Sequence, residues 1–244
     1  MKGFWAVFKR ELKGYFTTPV AYVFLVVFLF LAAYLPFELG DFYASRNAAL
    51  GTFFRYIPWL FCFLVPSVAM RLWSEERRSG SIELLLTLPI TIRQAAMAKF
   101  TAALAFLAIA LTLTAPFPLT VAYLGDPDPG PLWCGYGASL LTAGAFLAIG
   151  CFFSSLTRNQ VISFVLAAGT CVVLVYLGMP STLGWFGTFL PEGFVRVLEQ
   201  FSLTAHFESL ERGVIELRDL VYFLAMIVGW LLAGMMVLSE RRAA

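Results

Sequence analysis

Residues 71–91 read RLWSEERRSGSIELLLTLPIT, and this stretch separates two long hydrophobic runs. It carries six charged side chains and a glycine, followed by an apolar patch that ends at Pro89. The whole chain is 60% hydrophobic and only 13% charged, whereas soluble domains carry about 25% charged residues. The composition therefore predicts a membrane protein, and it leaves a short charged element at this position to be explained.

Six apolar stretches are long enough to cross a bilayer, which takes about 20 residues of α-helix. No charged side chain lies in the central part of any of them. Thr91 and Gln94, at the start of the third, have the spacing of a helix capping box. The sequence predicts an all-α integral membrane protein with a single transmembrane domain over residues 1–244. The predicted spans are residues 20–39, 56–73, 95–124, 132–156, 159–179 and 219–238.

The distribution of charge predicts the orientation, because Lys and Arg accumulate on the cytoplasmic side of membrane proteins. Both termini are expected in the cytoplasm, and the protein is expected in the bacterial cytoplasmic (inner) membrane. The segment 180–218 would then lie outside, with one or two short helices. This orientation places most of the 17 basic residues inside: Lys2, Lys9, Arg10, Lys13, Arg71, Arg77, Arg78, Arg93, Lys99, Arg158, Arg241 and Arg242.

Residues 2–16 precede the first span and have the pattern of an amphipathic helix. At about 100° per residue, aromatic and leucine side chains fall on one face and basic side chains on the other. Such a helix lies in the headgroup layer of the bilayer, with its basic face toward anionic lipid. The residues predicted to form this membrane-interface helix include Phe4, Trp5, Phe8, Lys9, Leu12 and Lys13.

The chain lacks the motifs that would supply energy or catalysis. A P-loop needs Gly directly before Lys, and the four lysines follow Met1, Phe8, Leu12 and Ala98. The net charge of +2 gives no sign of nucleic-acid binding. The sequence therefore predicts a protein that is not an enzyme and depends on a partner for energy. An integral-membrane enzyme stays as an alternative, with polar groups from the outer segment: His206, Glu208, Glu211 and Arg212.

The charged stretch itself predicts a docking element. Ser79 to Ser81 form a flexible joint, and the hydroxyl of Ser81 can cap a new helix. Glu83 falls in the first turn, where a carboxylate favours the helix dipole, and apolar residues follow it. The stretch would then form a short helix near the membrane plane, and its apolar side could bind in a groove on another protein. The alternative is an interfacial loop whose arginines extend toward water.

This stretch resembles the motif that follows the second span in permease subunits of type-2 (ABC-2) ATP-binding-cassette exporters. Two further segments, SSLTRNQVISF (154–164) and TAHFESLERGVIELRDLVYF (204–223), are similar to the branch named after gliding-motility-associated permeases. The resemblance covers nearly the whole chain. The residues of the first motif are Glu75, Arg77, Gly80, Ser81, Glu83, Leu84, Leu85, Leu86 and Pro89.

The resemblance implies that residues 74–89 are a coupling helix seated on a separate ABC ATPase subunit, which would hold the ATP and Mg. It also implies a second permease copy or a related permease, and an accessory membrane subunit with an extracytoplasmic domain. The implied function is a permease that couples ATP hydrolysis to export. The alternative is a non-transporting scaffold that recruits the ATPase to act on a partner membrane protein. The implied coupling interface is Glu75, Glu76, Arg77, Arg78, Gly80, Ser81, Ile82, Glu83, Leu84, Leu85, Leu86 and Pro89.

Overall fold

The computed structural model describes residues 2–38, 51–80, 91–125, 128–189 and 191–243. Within these ranges the chain forms α-helices joined by short turns, and it contains no β-strand. The helices are α1 Lys2–Thr17, α2 Pro19–Glu38, α3 Gly51–Ala69, α4 Arg71–Ser79, α5 Ile92–Thr112, α6 Pro116–Leu124, α7 Pro129–Leu156, α8 Gln160–Tyr176, α9 Pro180–Gly187, α10 Glu192–Phe201, α11 Leu203–Glu211 and α12 Leu217–Ala243.

Five helical segments among the described residues are long and apolar enough to cross a membrane, or six if α8 and α9 count as one span. The predicted all-α membrane architecture is confirmed. The fifth predicted span, 159–179, is a helix of 17 residues followed by α9 at an angle of 76°. Pro180 begins α9, because its ring fits the first turn of a helix but not the interior. The segment 180–218 holds three short helices instead of one or two.

The start of α5 follows the predicted capping box. The hydroxyl of Thr91 accepts a hydrogen bond from the backbone N–H of Gln94 at 3.2 Å. The side-chain oxygen of Gln94 accepts one in return from the backbone N–H of Thr91 at 3.3 Å. Two backbone donors that have no partner inside the helix are thereby satisfied. This prediction is confirmed.

Helix α7 lies at the centre of the bundle and packs against α3, α5, α8, α11 and α12. Glycines on α7 allow its neighbours to come close, as small residues commonly do between membrane helices. Gly150 faces Ala69 of α3, and Gly135 faces the ring of Phe54, which would lie 2.5 Å from an added Cβ. The packing of α3 on α7 therefore depends on the absence of a side chain at these two positions.

The bundle has two chemically different ends. At one end, called here the α1 end, α1 packs along α5, and α4 is hydrogen-bonded to the last turn of α7. At the opposite end, α11 packs against α7, α8 and α12, and Gly213 lies so close to the start of α7 that a Cβ added to it would meet Pro131. The charged stretch 71–91 thus begins at the α1 end.

Candidate functional site

The first half of the charged stretch 71–91 forms helix α4, Arg71–Ser79. Only Met70 separates it from α3, so the two helices form one nearly continuous rod. It ends at Gly80, whose φ of 73° is left-handed, a conformation that favours glycine at helix C-termini. One side of α4 is buried through Leu72 and Trp73, whereas Glu75 and Arg78 are exposed. A charged surface is thus presented on a helix whose other side is fixed in the bundle.

The structure describes five of the residues implied as the coupling interface. Glu75, Glu76, Arg77 and Arg78 lie together on the last two turns of α4, and Gly80 ends it. A helix therefore includes the polar segment that precedes the predicted joint. The others lie outside the described residues: Ser81, Ile82, Glu83, Leu84, Leu85, Leu86 and Pro89.

Ser154, in the last turn of α7, fixes the start of α4. Its buried hydroxyl accepts hydrogen bonds from the backbone N–H groups of Trp73 at 3.0 Å and Ser74 at 3.1 Å. It donates one to the carbonyl of Met70 at 3.0 Å. These groups lie at the junction between α3 and α4, where backbone groups need partners from elsewhere. A side chain from α7 thus does for α4 what a capping residue normally does within its own helix.

A second link between α4 and α7 lies one turn further along. The guanidinium group of Arg77 donates a hydrogen bond to the backbone carbonyl of Ser155. Hydrogen bonds from charged donors are stronger than neutral ones. Because adjacent residues of α7 hold two turns of α4, the helix cannot rotate about its axis without breaking one of these links.

A buried network of charges joins α4 to α1 and α5. Lys99, in the second turn of α5, is only 2% exposed. Its ammonium nitrogen lies 3.2 Å from Oε1 of Glu11 on α1 and 2.9 Å from Oε1 of Glu76 on α4, and it sits 5.3 Å from the ring centroid of Trp73. Arg10 adds a second cation, 2.8 Å from Glu11 and 3.4 Å from Glu76. Three helices therefore meet at one buried lysine.

The network favours the ionised form of its carboxylate on α1. Burial alone would raise the pKa of Glu11, but the opposite charge of Lys99 and the hydrogen bonds from Arg10 and Lys99 outweigh it. The pKa of Glu11 is therefore lower than its ordinary value. The pKa of Arg10 is raised, mainly by its hydrogen bond to Glu11, although partial burial opposes this. Both groups are held in the charged state that the contacts require.

Helix α1 is amphipathic, with an apolar side that packs on the bundle and basic side chains that are exposed. Its apolar side packs on the core through Leu12, Tyr15 and Phe16, and the Tyr15 ring stacks on Phe106 of α5 with centroids 5.0 Å apart. Lys9 and Lys13 are exposed. Near its start, three aromatic rings contact one another: Phe4, Trp5 and Phe8.

The opposite end of the bundle holds a second buried polar pair. Nδ1 of His206 on α11 lies 2.6 Å from Oδ1 of Asp219, in the first turn of α12. Nε2 of His206 lies 3.0 Å from the carbonyl of Gln200, and its ring stacks on Tyr222 with centroids 4.1 Å apart. The pair links α10, α11 and α12, and both ring nitrogens of the single histidine are engaged in it.

The other polar residues of the enzyme alternative lie on or next to α11. Glu211 is half-buried, and burial and the charge of Glu208 raise its pKa to about 7, although Arg55 and Arg212 act in the other direction. Arg212 lies 3.9 Å from Glu208, and both are largely exposed. No group of three or more His, Cys, Asp or Glu side chains suited to a metal occurs in the described parts of the chain.

Comparison of the sequence with models of known protein families identifies the family of this chain. A family model described as "ABC-2 family transporter protein" matches residues 5–241. The chain belongs to the ABC-2 transporter family. No curated protein sequence matches it. Membership makes this ABC-2 protein a multi-pass membrane subunit of an ABC transporter, which is a non-catalytic part of a complex that also contains an ABC ATPase.

The residues that hold α4 in place in this ABC-2 protein are not evident from its sequence. The sequence pattern marks Lys99 only as a basic residue on the cytoplasmic side, and Ser154 only as the first residue of a segment similar to a family branch. A signal existed for Lys99, since it is the one lysine inside an apolar run, and buried charges are seldom left unpaired. The partners could not be identified, because Glu11 and Glu76 come from distant parts of the chain. Ser154 gave no signal that separates it from its neighbour Ser155.

Proposed function

We propose that this protein is the permease subunit of an ABC exporter, and that α4 and the stretch after it dock on a separate nucleotide-binding subunit. The observation that carries the proposal is the anchoring of α4. Its exposed side presents Glu75 and Arg78, and its buried side is held by Ser154 and Lys99. The charges would orient the contact, and the leucines of 84–86 would supply the buried part of it.

The anchoring gives movement of α4 a path into the bundle. A displacement of α4 must carry α7 along through Ser154 and Arg77, and α1 and α5 along through Lys99, or else break those links. Breaking a hydrogen bond to a buried group costs about 1–3 kcal/mol, and separating a buried ion pair costs about 3–5 kcal/mol. ATP-driven closure moves the ATPase subunits and any helix docked on them. Through these links the movement of α4 would be transmitted to the membrane spans, which would move as rigid helices.

The orientation proposed with this function has both termini in the cytoplasm of a bacterium. The excess of basic residues at the α1 end supports it. The helices α9 to α11 and the His206–Asp219 pair then lie at the extracytoplasmic end. We further propose that the permease works as a dimer, with a second copy or a related permease, and belongs to the gliding-motility-associated branch. An accessory membrane subunit with an extracytoplasmic domain would complete that assembly.

The test is a pull-down of the tagged chain from native membranes in mild detergent, with identification and stoichiometry of the proteins that co-purify. We expect a P-loop ATPase at roughly one copy per permease chain. Arg78→Glu reverses an exposed charge on α4 and should release the ATPase. Arg93→Glu reverses an exposed charge on α5 at the same end and should not.

Two outcomes would contradict parts of the proposal. If no ATPase co-purifies with the wild-type chain, the protein has no energy source and the proposed function is wrong. If the ATPase is present but reconstituted complexes move no cargo while still acting on a partner membrane protein, the scaffold alternative is correct. A complex that hydrolyses ATP and moves cargo, with both lost in Arg78→Glu, supports the permease function.

A further inference from the structure

A cavity of about 250 Å³ opens at the α1 end, between α1, α2, α5 and the α3–α4 rod. Its lining is polar in one part and apolar in the other. Arg71 and Glu75 of α4 form the polar part together with Thr18, and Ala21, Phe24 and Phe106 lie in the apolar part. Because Ala21 and Phe24 belong to the first span, the apolar part faces toward the membrane interior. The cavity thus has the polarity gradient of the interface between water and bilayer.

The two opposite charges in this cavity do not pair with each other. Arg71 and Glu75 are four residues apart on α4, a spacing at which opposite charges often meet, although Arg before Glu is the weaker order. Neither side chain makes a hydrogen bond or ion pair with any described residue. Nε of Arg71 is inaccessible to water and has no acceptor. A buried donor without a partner is costly. Among the described residues the cavity therefore offers no acceptor to Arg71 and no cation to Glu75, and a ligand in it would reach the terminal nitrogens of the guanidinium group rather than Nε.

The remaining charge in the lining is already balanced. Glu11 borders the cavity, but it is held by Lys99 and Arg10. The charged groups left for a ligand among the described lining residues are therefore Arg71 and Glu75. A ligand that fits must carry both charges, place its negative group on the guanidinium, and extend an apolar part along Ala21 and Phe24.

We propose that the cavity binds the phosphoethanolamine headgroup of a membrane phospholipid. The phosphate accepts hydrogen bonds from Arg71, since guanidinium and phosphate match in geometry and charge. The primary ammonium donates to Glu75, and the acyl chains follow the apolar lining into the bilayer. A phosphocholine group has no N–H to donate, and an anionic headgroup offers no cation to Glu75. The volume lies below the roughly 300–1,000 Å³ of pockets that enclose whole drug-sized ligands, so the headgroup alone fits and the chains stay in the membrane.

This site makes the lipid a structural part of the permease. The headgroup touches α4 on the side away from α7, so a bound lipid would support the helix there as Ser154 does on the other side. The inference concerns a resident lipid of the separate permease. It shares Glu75 with the proposed docking surface, so the variants that test it are placed at Arg71 and Gly14, outside that surface. Its test therefore uses the purified permease in detergent, and its failure would leave the proposed function untouched.

The first measurement is the lipid content of the purified protein, by extraction and mass spectrometry. We expect phosphatidylethanolamine at roughly one molecule per chain after washing that removes bulk lipid. Arg71→Gln keeps the three side-chain carbons next to the backbone but removes the guanidinium group and its charge, and it should weaken retention about tenfold or more, as expected for loss of a charged hydrogen bond. Arg93→Gln, an exposed arginine at the same end, is the matched control and should retain the lipid.

A second variant guards against misfolding of Arg71→Gln. Gly14 lines the cavity, and a Cβ added there meets no atom within 4 Å. Gly14→Leu should therefore fill the cavity without disturbing the fold, and it should exclude the lipid although Arg71 is intact. Gly137→Leu places the same side chain at another open position and serves as its control. Retention of phosphatidylethanolamine by Gly14→Leu at the wild-type level would overturn the proposal.

The final measurement separates the lipid from other sources of the same chemistry. Delipidated protein is titrated with short-chain phosphatidylethanolamine, phosphatidylglycerol and phosphatidylcholine, and with phosphoethanolamine and inorganic phosphate, while the midpoint of thermal unfolding is followed. We expect only the phosphatidylethanolamine to raise the midpoint strongly. An equal rise with phosphatidylglycerol or phosphatidylcholine would refute the role of the paired charges. An equal rise with phosphoethanolamine or phosphate would refute the lipid.

Discussion

Replacement of Lys99 by methionine is the sharpest test of the network at the α1 end. Methionine keeps the apolar length of the side chain, but it removes the ammonium that lies 2.9 Å from Glu76 and 3.2 Å from Glu11. Removing one partner of a buried ion pair costs about 3–5 kcal/mol. Since Arg10 remains and the two carboxylates are 19% and 16% exposed, we expect the lower limit, about 3 kcal/mol of unfolding free energy.

A compensated triple variant separates stability from coupling. Lys99→Met combined with Glu11→Gln and Glu76→Gln leaves no buried charge unpaired, and replacing a whole buried ion pair is often close to neutral. Its stability should return to within about 1 kcal/mol of the wild type. The three helices would nevertheless be joined only by weak contacts, so we expect both Lys99→Met and the triple variant to show less stimulation of the ATPase by cargo than the wild type. Lys13→Met, at an exposed position of α1, is the control and should change neither property.

The assays are denaturant unfolding of the purified permease and ATP hydrolysis by the co-purified complex. Full ATPase stimulation in the triple variant would refute the reasoning, because the network would then serve stability alone. A loss below about 0.5 kcal/mol in Lys99→Met, the size of an ordinary surface substitution, would refute it in another way. The lysine would then not be the junction of three helices.

Further predictions concern other parts of the bundle. Gly150→Ala forces a Cβ against Ala69 and should cost about 1–3 kcal/mol in thermal or denaturant unfolding, as overpacking does; an unchanged midpoint would contradict the tight contact of α3 and α7. Ser154→Ala leaves two buried N–H groups without an acceptor and should cost about 1–3 kcal/mol, with reduced ATPase stimulation; equal stability to the wild type would refute its capping role. The raised pKa of Glu211, about 7, means that the folded protein binds this proton more tightly than the unfolded chain does. The stability that it contributes is complete below the ordinary pKa and is lost as pH rises through 7, so the unfolding midpoint should fall between pH 5 and pH 8, and Glu211→Gln should remove that part of the fall. Gly80→Ala, at a φ of 73°, should weaken the end of α4 by about 1 kcal/mol, whereas Asn should be tolerated better; hydrogen exchange over 75–79 would report it, and equal protection in both variants would refute the argument.

The sequence predicts the membrane architecture well because hydrophobic length and charge are local properties. The lengths of the apolar runs predict the membrane spans. Thr91 and Gln94 predict the start of α5, since a capping box lies within four consecutive residues. The bend of 76° between α8 and α9 is less accessible, although Pro180 marks it. The junction at Lys99 could not be predicted. It joins carboxylates 88 and 23 positions away in the chain, and no local pattern indicates that α1 and α4 meet there.

The polar links at both ends of the bundle have the same physical role, which is to fix the positions of helices within a membrane. Membrane helices gain little from burying apolar side chains against each other, because lipid is equally apolar, so close packing and polar contacts must fix their positions. At the α1 end Lys99 fixes α1 and α4 against α5, and at the other end Asp219 fixes α11 against α12 through His206. Each link sits in the first two turns of its helix, where a charge avoids the centre of the bilayer. Each end of the bundle is thereby fixed by a buried polar contact, and close packing at small residues such as Gly150 holds the helices between the two ends.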